Sequence, residues 1–211
     1  LAPADLSGFE VCPQRTAGCT AGCLNTAGRG RFTATQAARV RRTRWFFENR
    51  ITFMQALVRD ITRAIRHAEK RGYVAAFRLN ATSDIAWHRV PCDGFPSIMA
   101  RFPQTQFYDY TKVAKRLTTE TLPENYHLTF SLTDGNHDAA ARVIAAGGNV
   151  AAVFRDKATV ARAIASRCYV VPVINGDETD LRFLDPRGVI VALYAKGPAK
   201  RDRSGFVIDL A

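Results

Sequence analysis

Residues 126–154 read YHLTFSLTDGNHDAAARVIAAGGNVAAVF, and their grammar decides the fold class. An apolar-alternating run at 126–132 predicts a strand. Thr133-Asp134-Gly135-Asn136 is turn chemistry, and Asn136 can cap a helix reaching Ala146. Gly147-Gly148 ends that helix, and 149–154 predicts the next strand. The same unit recurs on both sides. Towards the N-terminus there are strands at 73–79 and 106–110, with a short helix at 96–102 that has Pro96 near its first turn. Towards the C-terminus a helix at 158–167 precedes strands at 168–174 and 188–195. Residues 8–12 read as one more short strand. Strands alternating with short helices make parallel βαβ units. Six or seven of them predict an α/β fold whose parallel units form a partial or closed TIM-like barrel. A doubly wound open sheet is the rival arrangement.

Ahead of these units lies the clearest helical signal. Phe47, Ile51, Met54, Val58, Ile61, Ile65 and Ala68 step by four and three, making one apolar stripe. One long amphipathic helix over about 34–71 is expected, with Thr33 or Thr35 as cap and Gly72 as stop. With 211 residues the chain is read as a single α/β domain, 1–211, opened by a cysteine loop at 8–31.

The net charge is +11, and residues 1–72 contribute +8 of it, from thirteen Lys and Arg against five Asp and Glu. A one-sided basic field concentrates polyanions, and counterion release favours their binding. A nucleic acid or nucleotide is therefore the expected partner. Apolar runs are short and interrupted, so no membrane span is expected. The first residues carry no signal-peptide pattern, and a cytoplasmic setting is expected. The oligomeric state is not legible.

Of five cysteines, Cys12, Cys19 and Cys23 fall within twelve residues, while Cys92 and Cys168 stand apart. Three thiolates from one loop converge on a soft metal at small entropic cost. The four-residue spacing of Cys19 and Cys23 puts both on one face of a helical turn. An iron–sulfur cluster with a non-cysteine ligand on its fourth iron is one expectation. Zinc completed by His67, His88, His127 or Cys92 is the other. Packing of three small apolar side chains is the bland alternative.

Ligands of parallel α/β folds bind at the carboxyl ends of strands. Asn80, Thr82, Ser83, Ser131, Asn175, Asp177 and Lys196 fall there and are the candidate binding residues. Asp84 and Asp109 are the candidate acid, base or nucleophile. Lys112 joins them as a catalytic candidate and, with Lys196, suits an anionic group. The loop 177–180 is acidic enough to hold a hard cation, though solvated loops of this kind are commoner.

Several blocks resemble the phage gene product 88 family. They are Val11-Cys12-Pro13, Gly18-Cys19 through Cys23-Leu24-Asn25-Thr26-Ala27-Gly28-Arg29-Gly30, Arg78-Leu79-Asn80 with Thr82-Ser83-Asp84, Phe107 through Lys112, and Gly176-Asp177-Glu178 with Asp180 through Phe183. The resemblance spans nearly the whole chain. It implies a phage or prophage origin and the cytoplasm of a host, and it brings no activity. At the level of fold the chain is also similar to radical S-adenosylmethionine enzymes, which place a three-cysteine loop after the first strand of a partial β/α barrel. That likeness implies S-adenosylmethionine as cofactor, contacted by Thr82-Ser83-Asp84 and Ser131. The cysteine spacing departs from that family's, and no Gly-Gly-Glu follows the second strand.

Together these features predict a metal- or iron–sulfur-dependent phage enzyme modifying nucleic acid or nucleotides. Two other classes remain open: a non-catalytic basic DNA- or RNA-binding phage protein with a structural metal, and a barrel-type transglycosylase using an aspartate.

Overall fold

The computed structural model describes residues 1–166 and 169–210. Its centre is a parallel sheet of β1 (Ala76–Phe77), β2 (Gln106–Thr111), β3 (Tyr126–Ser131), β4 (Val150–Phe154), β5 (Val173–Asn175), β6 (Ile190–Tyr194) and β7 (Val207–Ile208). The order is β1-β2-β3-β4-β6-β5. β7 pairs with β4 at Val153 and Phe154, beyond the pairing of Ser131 with Ala151 that joins β3 to β4. Every pairing is parallel, as the alternating units require. Among the described residues the ladder does not close: β1 and β5 are its two ends.

Register assigns the two faces. Phe107, Tyr126, Leu128, Phe130, Val150, Ala152, Phe154 and Ala192 lie on one face. All the larger helices pack there. The helices α2 (Thr33–Glu48) and α3 (Arg50–Glu69) cover the β2–β3 end through Phe46, Phe53, Met54 and Ile61. Ala140 and Val143 of α6 (His137–Ala145) meet Phe130 and Val150. Val160 and Ala163 of α7 (Lys157–Ala165) meet Ala152 and Phe154. The opposite face presents Tyr108, Tyr110, Ser131, Ala151 and Val191, and is covered by a 3-10 turn at Arg182–Leu184. There the Tyr108 and Phe183 rings lie 5.4 Å apart. Among the described residues the α-helices of nine residues or more pack on one face, whereas a doubly wound sheet carries them on both.

Several sequence expectations are corrected. The helix over 34–71 is two helices broken at Asn49, whose backbone leaves the helical region (φ −145°, ψ 70°) and whose side chain accepts the Thr52 N–H. An Asx residue in this conformation caps a new helix. The break folds α2 onto α3 and brings the Phe46 and Phe53 rings to 5.3 Å, edge to face, beside Trp87. Ile51, next to the break, is 74% exposed although it belongs to the apolar stripe. Residues 8–12 form no strand. Gly8 adopts φ +89°, and buried Val11 is pinned by loop bonds, its N–H to Ala4 and its carbonyl from Asp84 N–H at 2.7 Å. The strand at 73–79 contracts to Ala76–Phe77, and the helix at 96–102 to Ile98–Arg101. Cys168 lies outside the described residues, and the strand expected from it begins at Val173. β7 has no counterpart among the expected strands.

Candidate functional site

The carboxyl ends of the strands and the cysteine loop enclose one cavity of about 560 Å³. The loop is held there by a short polar network. Thr16 caps α1 (Ala17–Ala21) by accepting the Cys19 N–H at 3.1 Å. Thr16 also donates to Asp134 Oδ1 at 2.5 Å, and Thr133 donates to the same oxygen at 2.7 Å. These bonds and the Gly18 N–H hold the Asp134 carboxyl below its usual range against the opposing effect of burial. Thus α1 is docked onto the loop that follows β3. The approach is close enough that a Cβ on Gly18 would stand 2.8 Å from Asp134 Oδ1 and 2.9 Å from Phe206 Cβ. Gly18→Ala is expected to lower stability by about 1–3 kcal/mol through overpacking. A thermal melt against wild type measures this, and an unchanged midpoint would show that α1 shifts freely.

Cys12, Cys19 and Cys23 are free, partly buried, and all line the cavity. Cys12 Sγ accepts the Ala4 N–H at 3.5 Å and lies 3.7 Å from the Thr82 carbonyl. Burial pushes the Cys12 thiol up to about 11. Cys23 is raised by burial as well, and is opposed by a bond from the Asn25 backbone and by the charges of Lys112 and Arg39. Asn25, itself buried, is anchored by Arg39 Nη1 at 2.5 Å.

The binding candidates divide by how their polar atoms are used. Asn80 Oδ1 accepts from Ser83 Oγ, Ile85 N and Trp87 Nε1 at 2.9–3.0 Å. Thr82 Oγ1 donates to the Leu1 carbonyl at 2.7 Å. Asn80, Thr82 and Ser83 therefore line the cavity but spend their side chains on shaping the loop after β1. Asp84 lines it too, locked by Arg116 Nη1 on one oxygen at 2.5 Å and by Lys112 N–H on the other at 2.9 Å. Ser131, Asp177 and Lys196 face the cavity. Asp177 accepts from Lys196 Nζ at 2.6 Å and from Tyr194 N–H at 2.9 Å.

Two candidates do not reach the site. Asp109 is fully buried on the helix-bearing face, where it accepts from Asn80 N–H at 2.6 Å and Tyr126 Oη at 2.9 Å. Asn175 does not line the cavity, and it binds Glu178 and the Asp177 N–H instead. Both lie on the strand parity that points outward. The zinc partners fare no better. His67, His88, His127 and Cys92 are all absent from the cavity wall. His88 pairs with Glu120 at 3.0 Å, and Cys92 is buried in a bridge with Phe95. Among the described residues no three His, Cys, Asp or Glu side chains, Cys12, Cys19 and Cys23 included, are placed to hold a metal ion as they stand. Two of the three carboxylates in the loop 177–180 are paired with cations, Asp177 with Lys196 and Asp180 with Arg78 at 3.1 Å, and Glu178 accepts from Asn175.

Arg78, which the sequence marks only as part of a family-like block and not as a site candidate, lines the cavity and stacks its guanidinium 4.6 Å from the Tyr110 ring centroid. Its pair with Asp180 spans from the residue after β1 to the loop after β5, the two ends of the ladder. The signal for it was parity: Arg78 is one residue beyond outward-facing Phe77.

No described helix is long and apolar enough to cross a membrane. No curated protein and no solved structure matches the chain, so the likeness to radical S-adenosylmethionine enzymes gains no support from either comparison. The family model described as Gene product 88 matches residues 1–210, and the chain belongs to this phage family.

Proposed function

We propose that this chain is an iron–sulfur-dependent phage enzyme that acts on a nucleotide or nucleic acid. The observation that carries the reading is that Cys12, Cys19 and Cys23 all face one cavity at the strand ends, together with Lys112, Ser131, Asp177 and Lys196. Thiolates bind both clusters and zinc. None of the expected further ligands for zinc, His67, His88, His127 or Cys92, lines the cavity, which favours a cluster. Among the described residues no three His, Cys, Asp or Glu side chains are placed to hold a metal ion as they stand, so loading would draw the three sulfurs together. Backbone N–H groups of Ala4 and Asn25 aimed at the Cys12 and Cys23 sulfurs are of the kind that stabilise cluster thiolates. Because burial holds these thiols protonated, loading releases protons and is favoured as pH rises. Cys12, Cys19 and Cys23 would hold the cluster, which would supply single electrons. The chain's own residues do the rest. Lys112 and Lys196 orient anionic groups, and Leu24, Val153, Leu193 and Phe206 exclude water. The one-sided helices and the Arg78–Asp180 pair across the ladder's ends support a partial β/α barrel as the finer fold.

Iron and sulfide analysis with an absorption spectrum, on protein purified and reconstituted without oxygen, tests the reading. Roughly four irons per chain are expected. Cys12→Ala, Cys19→Ala and Cys23→Ala should each reduce iron to a minor fraction. Metal content unchanged in the triple variant, or stoichiometric zinc with no visible absorption, would overturn it.

One observation favours the non-catalytic reading. Among the described residues Arg29, Arg31, Arg41 and Arg42 are exposed and form no ion pair. A phosphate backbone would neutralise them, with steep salt dependence. The transglycosylase reading is left with Asp84, both of whose oxygens are engaged, since Asp109 lies outside the cavity.

A further inference from the structure

The cavity's cations are not equivalent. Arg15 is neutralised by Glu10 at 2.8 Å and Asp5 at 3.2 Å, Arg78 by Asp180, and Lys196 by Asp177. Lys112 is the exception among the described residues. It is half-buried, and its Nζ bonds only to Ser131 Oγ, at 3.0 Å. A half-buried ammonium with no carboxylate partner has donors left to offer an anion. Its placement is also fixed rather than incidental. Thr111 of β2 pairs with Phe130 of β3, so Lys112 and Ser131 are the next neighbours across adjacent strand ends, both on the cavity-facing parity. The Lys112 backbone is tied to Asp84, which Arg116 in turn clamps.

We infer that Lys112 and Ser131 form an oxyanion subsite that takes the phosphate of a nucleotide. The inference rests on the proposed nucleotide chemistry and assigns a place to its charge. An ammonium is a compact point charge with three donors, suited to phosphate, and the Ser131 hydroxyl adds a rotatable donor beside it. The same cavity wall also carries apolar side chains, Val153, Leu193, Leu24 and Phe206, and the Tyr110 ring. A volume of about 560 Å³ lies within the range of small-molecule sites. The sugar and base therefore lie along the apolar wall while the phosphate sits between the ends of β2 and β3.

A free nucleotide and a nucleic-acid end both offer such a phosphate, and one titration series separates them. Calorimetry on the full chain compares four probes: a nucleoside, its 5′-monophosphate, and a dinucleotide with and without a 5′-phosphate. At least one phosphorylated probe is expected to bind roughly tenfold or more tighter than its unphosphorylated partner, about 1.4 kcal/mol. Preference for the mononucleotide assigns a free nucleotide, and preference for the phosphorylated dinucleotide assigns a nucleic-acid end. Lys112→Met should erase the phosphate preference while leaving nucleoside binding within about twofold, and Lys112→Arg should restore most of it. Ser131→Ala should reduce the preference by a smaller factor, which guards against misfolding of the lysine variants. Equal binding of phosphorylated and unphosphorylated probes, a preference that survives Lys112→Met, or no binding of any probe would overturn the inference. Iron content read on the same samples keeps the two proposals separate. A cluster without phosphate preference removes only the subsite, and phosphate preference without a cluster removes only the iron–sulfur reading.

Discussion

Arg116→Met is expected to lower stability by about 3–5 kcal/mol, the range for leaving one member of a buried ion pair alone. The pair is tight: Nη1 reaches Asp84 Oδ1 at 2.5 Å, and both side chains are 9% exposed. The same guanidinium donates to Thr111 Oγ1 at 3.1 Å and to the Asp84 carbonyl at 3.2 Å. Methionine fills much of the volume and satisfies none of these acceptors. Asp84 would keep only the Lys112 N–H. At this chain length the loss corresponds to a fall of roughly 6–20 °C in the melting midpoint. Adding Asp84→Asn to Arg116→Met removes the stranded charge and should recover part of the loss, whereas additive losses would show that the two sites do not couple. A midpoint within about 2 °C of wild type for Arg116→Met alone would mean that solvent reaches the pair. The consequence extends to the site, because Asp84 N–H holds the Val11 carbonyl and so the residue beside Cys12.

This pair shows where reading the sequence stops. Asp84 and Arg116 are thirty-two residues apart, and neither pattern nor spacing announces that they meet. What local chemistry governs was legible. Apolar runs closed by Asn, Asp, Gly and Thr located β2, β3, β4 and β6, and the rule that parallel strands carry sites at their carboxyl ends brought Lys112, Ser131, Asp177 and Lys196 to the cavity wall. Parity within β2 was equally legible, since Asp109 must oppose Tyr108 and Tyr110. Which parity faces the helices was not. Two tyrosines resemble a core face, yet here they line the inner surface with Phe183 and Arg78 while Asp109 points towards the helix side. Helix periodicity likewise ran unbroken through Asn49, because a single non-helical residue leaves the four-and-three spacing of Phe47, Ile51 and Met54 intact.

Asp109 gives the second large effect, and its sign is opposite to that of an ion-paired carboxylate. Burial raises its carboxyl from 3.8 to about 7, more than the bonds from Asn80 N–H and Tyr126 Oη lower it. With the folded value above the unfolded one, the native state holds the proton more tightly across the interval between them. Stability contributed by this group is then complete below about pH 4 and declines as pH rises towards 7. Integrated over that interval the decline is on the order of 4 kcal/mol, an upper bound for one fully buried group. Other carboxylates oppose it in acid: Asp134 and Asp202 are lowered by accepted hydrogen bonds despite burial, and they lose stability as pH falls through their folded values. The effect of Asp109 is therefore isolated by comparison with Asp109→Asn. The amide oxygen can still accept the Asn80 N–H, and its NH₂ can donate to the Tyr126 hydroxyl once that rotor turns. The variant should match wild type near pH 4 and exceed it by up to several kcal/mol above pH 7, measured as denaturant midpoints at each pH. Parallel curves for the two proteins from pH 4 to 8 would mean that Asp109 is ionised throughout. In that case the acceptors of β2, rather than its proton, set the local stability, and Asp109→Asn would then cost stability at every pH by weakening the charge-assisted bond from Asn80.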